Sequence, residues 1–180
     1  MTVPVLMAVT DGVEAGLHAA SRGASHLLLR MPGADARTQY EALLRLVAAA
    51  PIPVLARGRP DLVLAAGAAG VNLPEGDLPV AAARTLLGPH RLVGRSVHSV
   101  GEAAAAAAEG ADFVLFGPVF ETPTHPGRAA LGTDALAEVA RAVAIPVLAI
   151  GGVDRERAAA CLAAGADGYA AIRFFRDPVG

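Results

Sequence analysis

The chain has 180 residues, a formal net charge of −2, 54% hydrophobic and 18% charged residues and a mean hydropathy of +0.48. That suits one core of strands buried on both faces under small-residue helices, so a single domain over 1–180 is expected. All 15 basic residues are arginine, which excludes Schiff-base lysine chemistry, and no basic cluster is interleaved with aromatics, which excludes a nucleic-acid surface. No apolar run reaches membrane-spanning length and no basic segment precedes the apolar stretch of "MTVPVLMAVTDG", so a soluble, cytoplasmic protein that meets no membrane is expected. A single cysteine, Cys161, excludes disulfides within the chain and thiolate metal clusters.

Short β-type runs alternate with helical ones from end to end: VLMAV (5–9), HLLLR (26–30), PVLAR (53–57), GVNL (70–73), RLVGRS (91–96), FVLF (113–116), PVLAI (146–150) and GYAAI (168–172). Between them, "TQYEALLRLVAAA", "VGEAAAAAAEG" and "RERAAACLAAG" carry the Ala and Leu of helices, often closed by glycine. Asp11 with Glu14, and Ser99 with Glu102, have capping-box spacing. "IPVLARGRPDLVLAAGAAGVNL" resembles "IPVLAIGGVDRERAAACLAAGADGYAAI" four strands later, an internal half-repeat. The pattern predicts an α/β fold, a small single-domain TIM (β/α)8 barrel with a missing or minimal last helix, since only "RFFRDPVG" follows the eighth strand. An open doubly wound sheet is the second choice, because periodicity does not decide closure. Phe174, Phe175 and Val179 beside the uncovered wall point to a homodimer, with a tail folded over the gap as the alternative.

In such a barrel the site lies in the loops after the strands. Arg30, Arg57, Arg59, Arg95, Arg128 and Arg173 fall at that rim and predict an anionic ligand. A Gly-Gly turn entering a helix, Gly151–Gly152 in "AIGGVDRE", together with Ile172 and Arg173 after the last strand, predicts a phosphate site. His98 is either a functional group or a neighbour of the Ser99 cap. No set of His, Asp and Glu has metal-ligand spacing, although Glu75 and Asp77 could hold a magnesium-phosphate with help from elsewhere. The long irregular stretch "FGPVFETPTHPGRAALG" reads as a lid hinged at Gly117 and Gly132.

The segment "LVGRSVHSVGEAAAAAAEGADFVLFGPVFETPTHPGRAALG", continuing through "IPVLAIGGVDRERAAACLAAGADGYAAI", resembles the thiamine-phosphate synthase superfamily. "AVTDG" and "GVNLPEGDLP" extend the likeness toward the N-terminus, while "VGRSVHS" with "VLFGPVFET" is similar to the thiazole tautomerase branch. The resemblance implies a TIM barrel of thiamin biosynthesis that binds a thiazole phosphate. Synthases join that phosphate to a pyrimidine pyrophosphate with magnesium. Of their strand-two Gln, Arg and Lys this chain keeps Arg30, with Leu28 and Pro32 at the other positions. Their Asn-Asp pair is Arg57-Gly58 here, their loop Lys is His125, and Asp77 matches their second acidic metal position. The tautomerases share Gly58 and the Phe120-Glu121-Thr122 run, but carry a His where this chain has Pro118.

The leading expectation is therefore a tautomerase-like isomerase that aromatises a carboxythiazoline phosphate. Glu121, His125 or His98 would move the proton. Gly151, Gly152, Ile172 and Arg173 would hold the phosphate, Arg30 or Arg95 the carboxylate, and Ser96 and Thr122 the ring. No metal and no cofactor are expected. The alternatives are a divergent synthase, which alone would need magnesium, and a catalytically silent phosphate-ligand binder.

Overall fold

Neighbouring β-runs separated by helices have one way to bury both faces, which is to pair side by side in parallel under a helical layer. The computed structural model, which describes residues 5–122, 127 and 129–175, does this without an edge. The strands are β1 (Val5–Thr10), β2 (His26–Leu29), β3 (Val54–Arg57), β4 (Gly70–Leu73), β5 (Leu92–Val97), β6 (Phe113–Phe116), β7 (Val147–Ile150) and β8 (Gly168–Ala171). Each pairs with the next, and β8 returns to β1 in parallel register from Val5↔Gly168 to Ala8↔Ala171, so the sheet is a closed barrel and not an open one. The helices among the described residues are α1 (Val13–Ser21), α2 (Ala36–Ala49), α3 (Pro60–Ala66), α4 (Val80–Leu87), α5 (Val100–Ala108), α6 (Gly132–Ala142) and α7 (Arg155–Ala163).

Side chains along a strand alternate faces, and here the alternation sorts two cores. Met7, Val9, Leu28, Leu55, Phe113, Leu115, Leu148 and Ala170 fill the barrel. Their neighbours one residue away, such as Leu27, Leu29, Val71, Val93, Val114 and Val147, pack outward with Leu43, Leu46, Val63 and Leu136 of the helices. Phe113 enters the barrel where β5 offers only Gly94, and a Cβ at position 94 would stand 2.1 Å from the tip of the ring, Cζ.

Side chains cap three of the helices, α2, α5 and α7. Asp35 and Asp154 accept from the backbone N–H of Thr38 (2.8 Å) and Arg157 (2.9 Å) and so cap α2 and α7. Ser99 Oγ accepts from Glu102 N at 3.2 Å, while the Glu102 carboxylate accepts from His98 N at 2.6 Å, one residue earlier than a standard capping box. The expected Asp11–Glu14 cap is shifted by one residue, since α1 starts at extended Gly12.

After β8 the chain turns over its own wall. The Phe174 ring lies 5.0 Å from that of Tyr169 and 5.0 Å from that of Phe175, with the Arg155 guanidinium 5.5 Å from its centroid. Phe175 is only 3% exposed. Phe175 is thus covered within one chain, contrary to the expectation of a bare wall, while Phe174 stays half-buried, and neither shows a homodimer. Val179 lies outside the described residues. None of the helices searched is long and apolar enough to cross a membrane.

Two outcomes follow from this packing. Gly94→Ala drives a methyl into the buried Phe113 ring and should cost roughly 1–3 kcal/mol, read from the urea midpoint. Burial lowers the pKa of His26 from 6.5, so below that value the unfolded chain takes up a proton that the folded chain resists. Unfolding free energy should therefore fall as pH drops from about 7.5 to about 5.5, and His26→Gln should remove that part of the slope.

Candidate functional site

The alternation that fills the barrel also furnishes its mouth. Two residues beyond Leu28 and Leu55 come Arg30 and Arg57. Asn72 on β4 and Ser96 on β5 point the same way, as do Gly152 beyond Ile150 and Ile172 beyond Ala170. All border one cavity of about 500 Å³ at the C-terminal ends of the strands. Its floor is the upper layer of the barrel core, Val9, Leu28, Leu115, Ile150 and Ala170. Set into that floor, Asn72 Nδ2 donates to Ser96 Oγ at 2.9 Å, while Asn72 Oδ1 is buried without a hydrogen-bond partner.

One wall is the turn after β7. Gly151 and Gly152 have φ of +95° and +66°, and a Cβ on Gly151 would stand 2.6 Å from Pro118 Cα. On Gly152 it would stand 2.5 Å from the Glu121 carbonyl oxygen. Only glycine satisfies both the left-handed backbone and this contact. Val119 N donates to Ile150 O (2.9 Å) and Phe120 N to Gly151 O (3.0 Å), joining the stretch after β6 to the same turn. Arg157, one turn into α7, donates to Gly152 O at 2.9 Å and lies 5.1 Å from the Phe120 ring centroid. A glycine turn leading into the start of α7, with Arg173 on the rim, is a place for a phosphate.

The facing wall is cationic. Crowding by the protein pushes the Arg57 pKa down, the charge of Arg30 pushes it further, and Asp77 pulls it back up. The side chain is nonetheless exposed at the mouth. Between the two walls the His98 ring bridges Gly117 O, through Nδ1, and Glu75 Oε2, 3.2 Å from Nε2. A carbonyl can only accept, so Nδ1 bears a proton. His98 is thus both a neighbour of the α5 cap and part of the cavity wall.

Arg30, Ser96, His98, Glu121, Thr122, Gly151, Gly152, Ile172 and Arg173 all border this cavity. His125, with Thr124 and Arg128, lies outside the described residues. Arg95 is placed elsewhere: it is one residue out of step with Ser96, faces away from the barrel, and donates to Leu78 O at 2.9 Å and Asp77 O at 3.4 Å. The two ends of the long loop are joined at its base, since Leu131 N donates to Pro118 O (2.8 Å) and Gly132 N to Val119 O (3.0 Å), while 123–126 and 128, within the stretch expected to be a lid, lie outside the described residues. Arg157 was not singled out by the sequence, because it sits in an alanine-rich helix. Its signal is the Asp154 cap, which places it one turn above the glycines.

A family model described as thiamine monophosphate synthase matches residues 6–175. The chain belongs to the thiamine monophosphate synthase family. It is 43% identical over 171 residues to a putative thiamine-phosphate synthase of Geobacter sulfurreducens, covering 93% of this chain and 78% of that one. It is 45% identical over 168 residues to the thiamine-phosphate synthase of Anaeromyxobacter dehalogenans, covering 90% and 74%. The thiamine phosphate pyrophosphorylase of Pyrococcus furiosus superposes with a TM-score of 0.83 at 31% identity, over 94% of this chain and 86% of that one. The two relatives bear the synthase name and the solved structure that of a thiamine phosphate pyrophosphorylase, so the tautomerase reading, and with it an isomerase, is corrected. The short matches that suggested it, "VGRSVHS" with "VLFGPVFET" and Gly58, are outweighed by identity to named synthases over 168 to 171 residues.

The floor makes a checkable pair. Ser96→Ala removes the acceptor of a buried amide and should cost about 1–3 kcal/mol, whereas Ser96→Ala with Asn72→Leu, which removes both polar partners, should recover most of it. Chemical unfolding of the single and double variants measures the difference.

Proposed function

We propose that the protein is a thiamine-phosphate synthase, a transferase that joins a thiazole phosphate to a pyrimidine carrying a diphosphate. One observation carries this reading beyond the likeness to named synthases: the cavity has two cationic or phosphate-accepting walls, at the ends of β3 and β7. These strands stand four apart, and so opposite, in a ring of eight. Two anions can be held across an apolar floor where their heterocycles meet.

In the reaction the thiazole ring nitrogen forms a bond to the pyrimidine's methylene carbon. The carbon–oxygen bond to the diphosphate breaks, and pyrophosphate leaves with the electron pair. The nitrogen lone pair becomes the new bond, a thiazolium cation results, and no proton has to move. Pro118 in place of a loop histidine is then no deficit. The protein's tasks are orientation and charge stabilisation. Gly151, Gly152, Ile172 and Arg173 hold the thiazole phosphate, Ser96 and Thr122 orient the ring, and Glu121 supplies negative charge beside the cationic product.

The family's magnesium requires carboxylates, and the residues at hand do not fit it. Arg57-Gly58 stands where the resemblance calls for Asn-Asp, and Asp77 faces the charge of Arg57. Among the described residues, no three His, Cys, Asp or Glu side chains gather as metal ligands. No step is routed through a metal.

Incubation with both substrates, followed by mass spectrometry of thiamine phosphate, tests the assignment; no product with or without magnesium would sink it. Arg173→Gln should raise KM for the thiazole phosphate about 10–100-fold, the worth of one charge-assisted hydrogen bond, with little change in kcat.

A further inference from the structure

We propose that Arg57 and Arg30, braced by Asp77, bind the diphosphate of the second substrate directly and do the electrostatic work that a metal ion would otherwise do. This rests on the synthase reading for the identity of the ligand, but its physical basis is independent. Arg57 borders both the main cavity and an adjoining cleft that also contains Arg30, Arg59, Asp61 and Asp77. Its exposed side chain is therefore shared by the two, within reach of a ligand entering from solvent.

The local charges are arranged for an anion. Arg59 is committed to Asp61, through bonds of 2.9 and 2.6 Å. Arg30 and Arg57 repel one another, and the side chain pulling the other way on Arg57 is Asp77. The position of Asp77 is fixed: its Oδ1 accepts from Leu78 N at 2.7 Å, and the outward Arg95 holds the carbonyls of Asp77 and Leu78. Gly58, at φ +63°, adds no second carboxylate, and a Cβ there would already stand 3.0 Å from Asp77 Oδ2. A dication on this wall would meet two guanidinium groups, whereas a diphosphate would relieve their repulsion. Guanidinium forks match phosphate oxygens in pairs and keep their charge at any working pH, so they can neutralise a departing pyrophosphate without a metal.

The test is calorimetric titration with inorganic pyrophosphate in excess chelator. The unaltered protein should bind it, and Arg57→Gln should weaken binding about 10–100-fold at an unchanged melting temperature. Arg37→Gln, in an exposed ion pair on α2 outside the cavity, should leave it within about twofold. The pair Arg57→Asn with Gly58→Asp should bind pyrophosphate only when magnesium is supplied. Binding by the unaltered protein that requires magnesium, or that survives Arg57→Gln intact, overturns the inference. The turnover assay separates the two proposals. Product formed only with magnesium overturns the arginine clamp and leaves the synthase. Metal-free pyrophosphate binding through Arg57 without any product leaves the clamp and removes the synthase.

Discussion

Closure of the sheet is the constraint from which the site descends. Once β8 pairs with β1, every strand has one face turned to a common axis, and the period of two decides which residues share that interior. The apolar members, from Met7 to Ala170, fill it. The next inward position on each strand can no longer be core, because it stands at the open end. Arg30, Arg57, Asn72 and Ser96 occupy those positions, brought together from sequence distances that no local structure could span. The half-repeat adds symmetry, since β3 and β7 are opposite in the ring and their following turns face each other across the cavity.

The chemistry of the two ends differs in kind. On one side backbone does the work: left-handed glycines packed against the segment after β6, beside the start of a capped helix. On the other side it is side chains, with two guanidinium groups whose mutual repulsion is tempered by one carboxylate. Carboxylates dominate magnesium sites, and here arginine and glycine stand where an amide and a carboxylate are expected. A transfer that moves an electron pair but no proton asks for this kind of site, rich in fixed charge.

Much of this was legible in the chain. The eight β-runs lie within a residue or so of the strands, because buried parallel strands read as unbroken apolar runs bounded by glycine or proline. The rim residues followed from the strand ends. The closed barrel was the first choice, carried by eight strand–helix units and the half-repeat, and the sheet does close, though the β1–β8 register itself was not legible. Nor was the facing of Arg95: in "RLVGRSV" polar groups occur at adjacent positions, and only the register shows that Ser96 points in and Arg95 out. The family branch was misread because two short runs, "VGRSVHS" and "VLFGPVFET", together with Gly58 and the missing synthase residues, were weighed above the likeness along the rest of the chain.

The two guanidinium–ring contacts of α7 carry a mechanical consequence. Arg155 rests on Phe174 beyond β8, and Arg157 rests on Phe120 beyond β6 while gripping Gly152. The first turn of α7 is thus fastened to both neighbours of the glycine turn, and three consecutive loops form one stiff abutment. The glycine end of the cavity is an anvil, held from both sides by the helix that follows it.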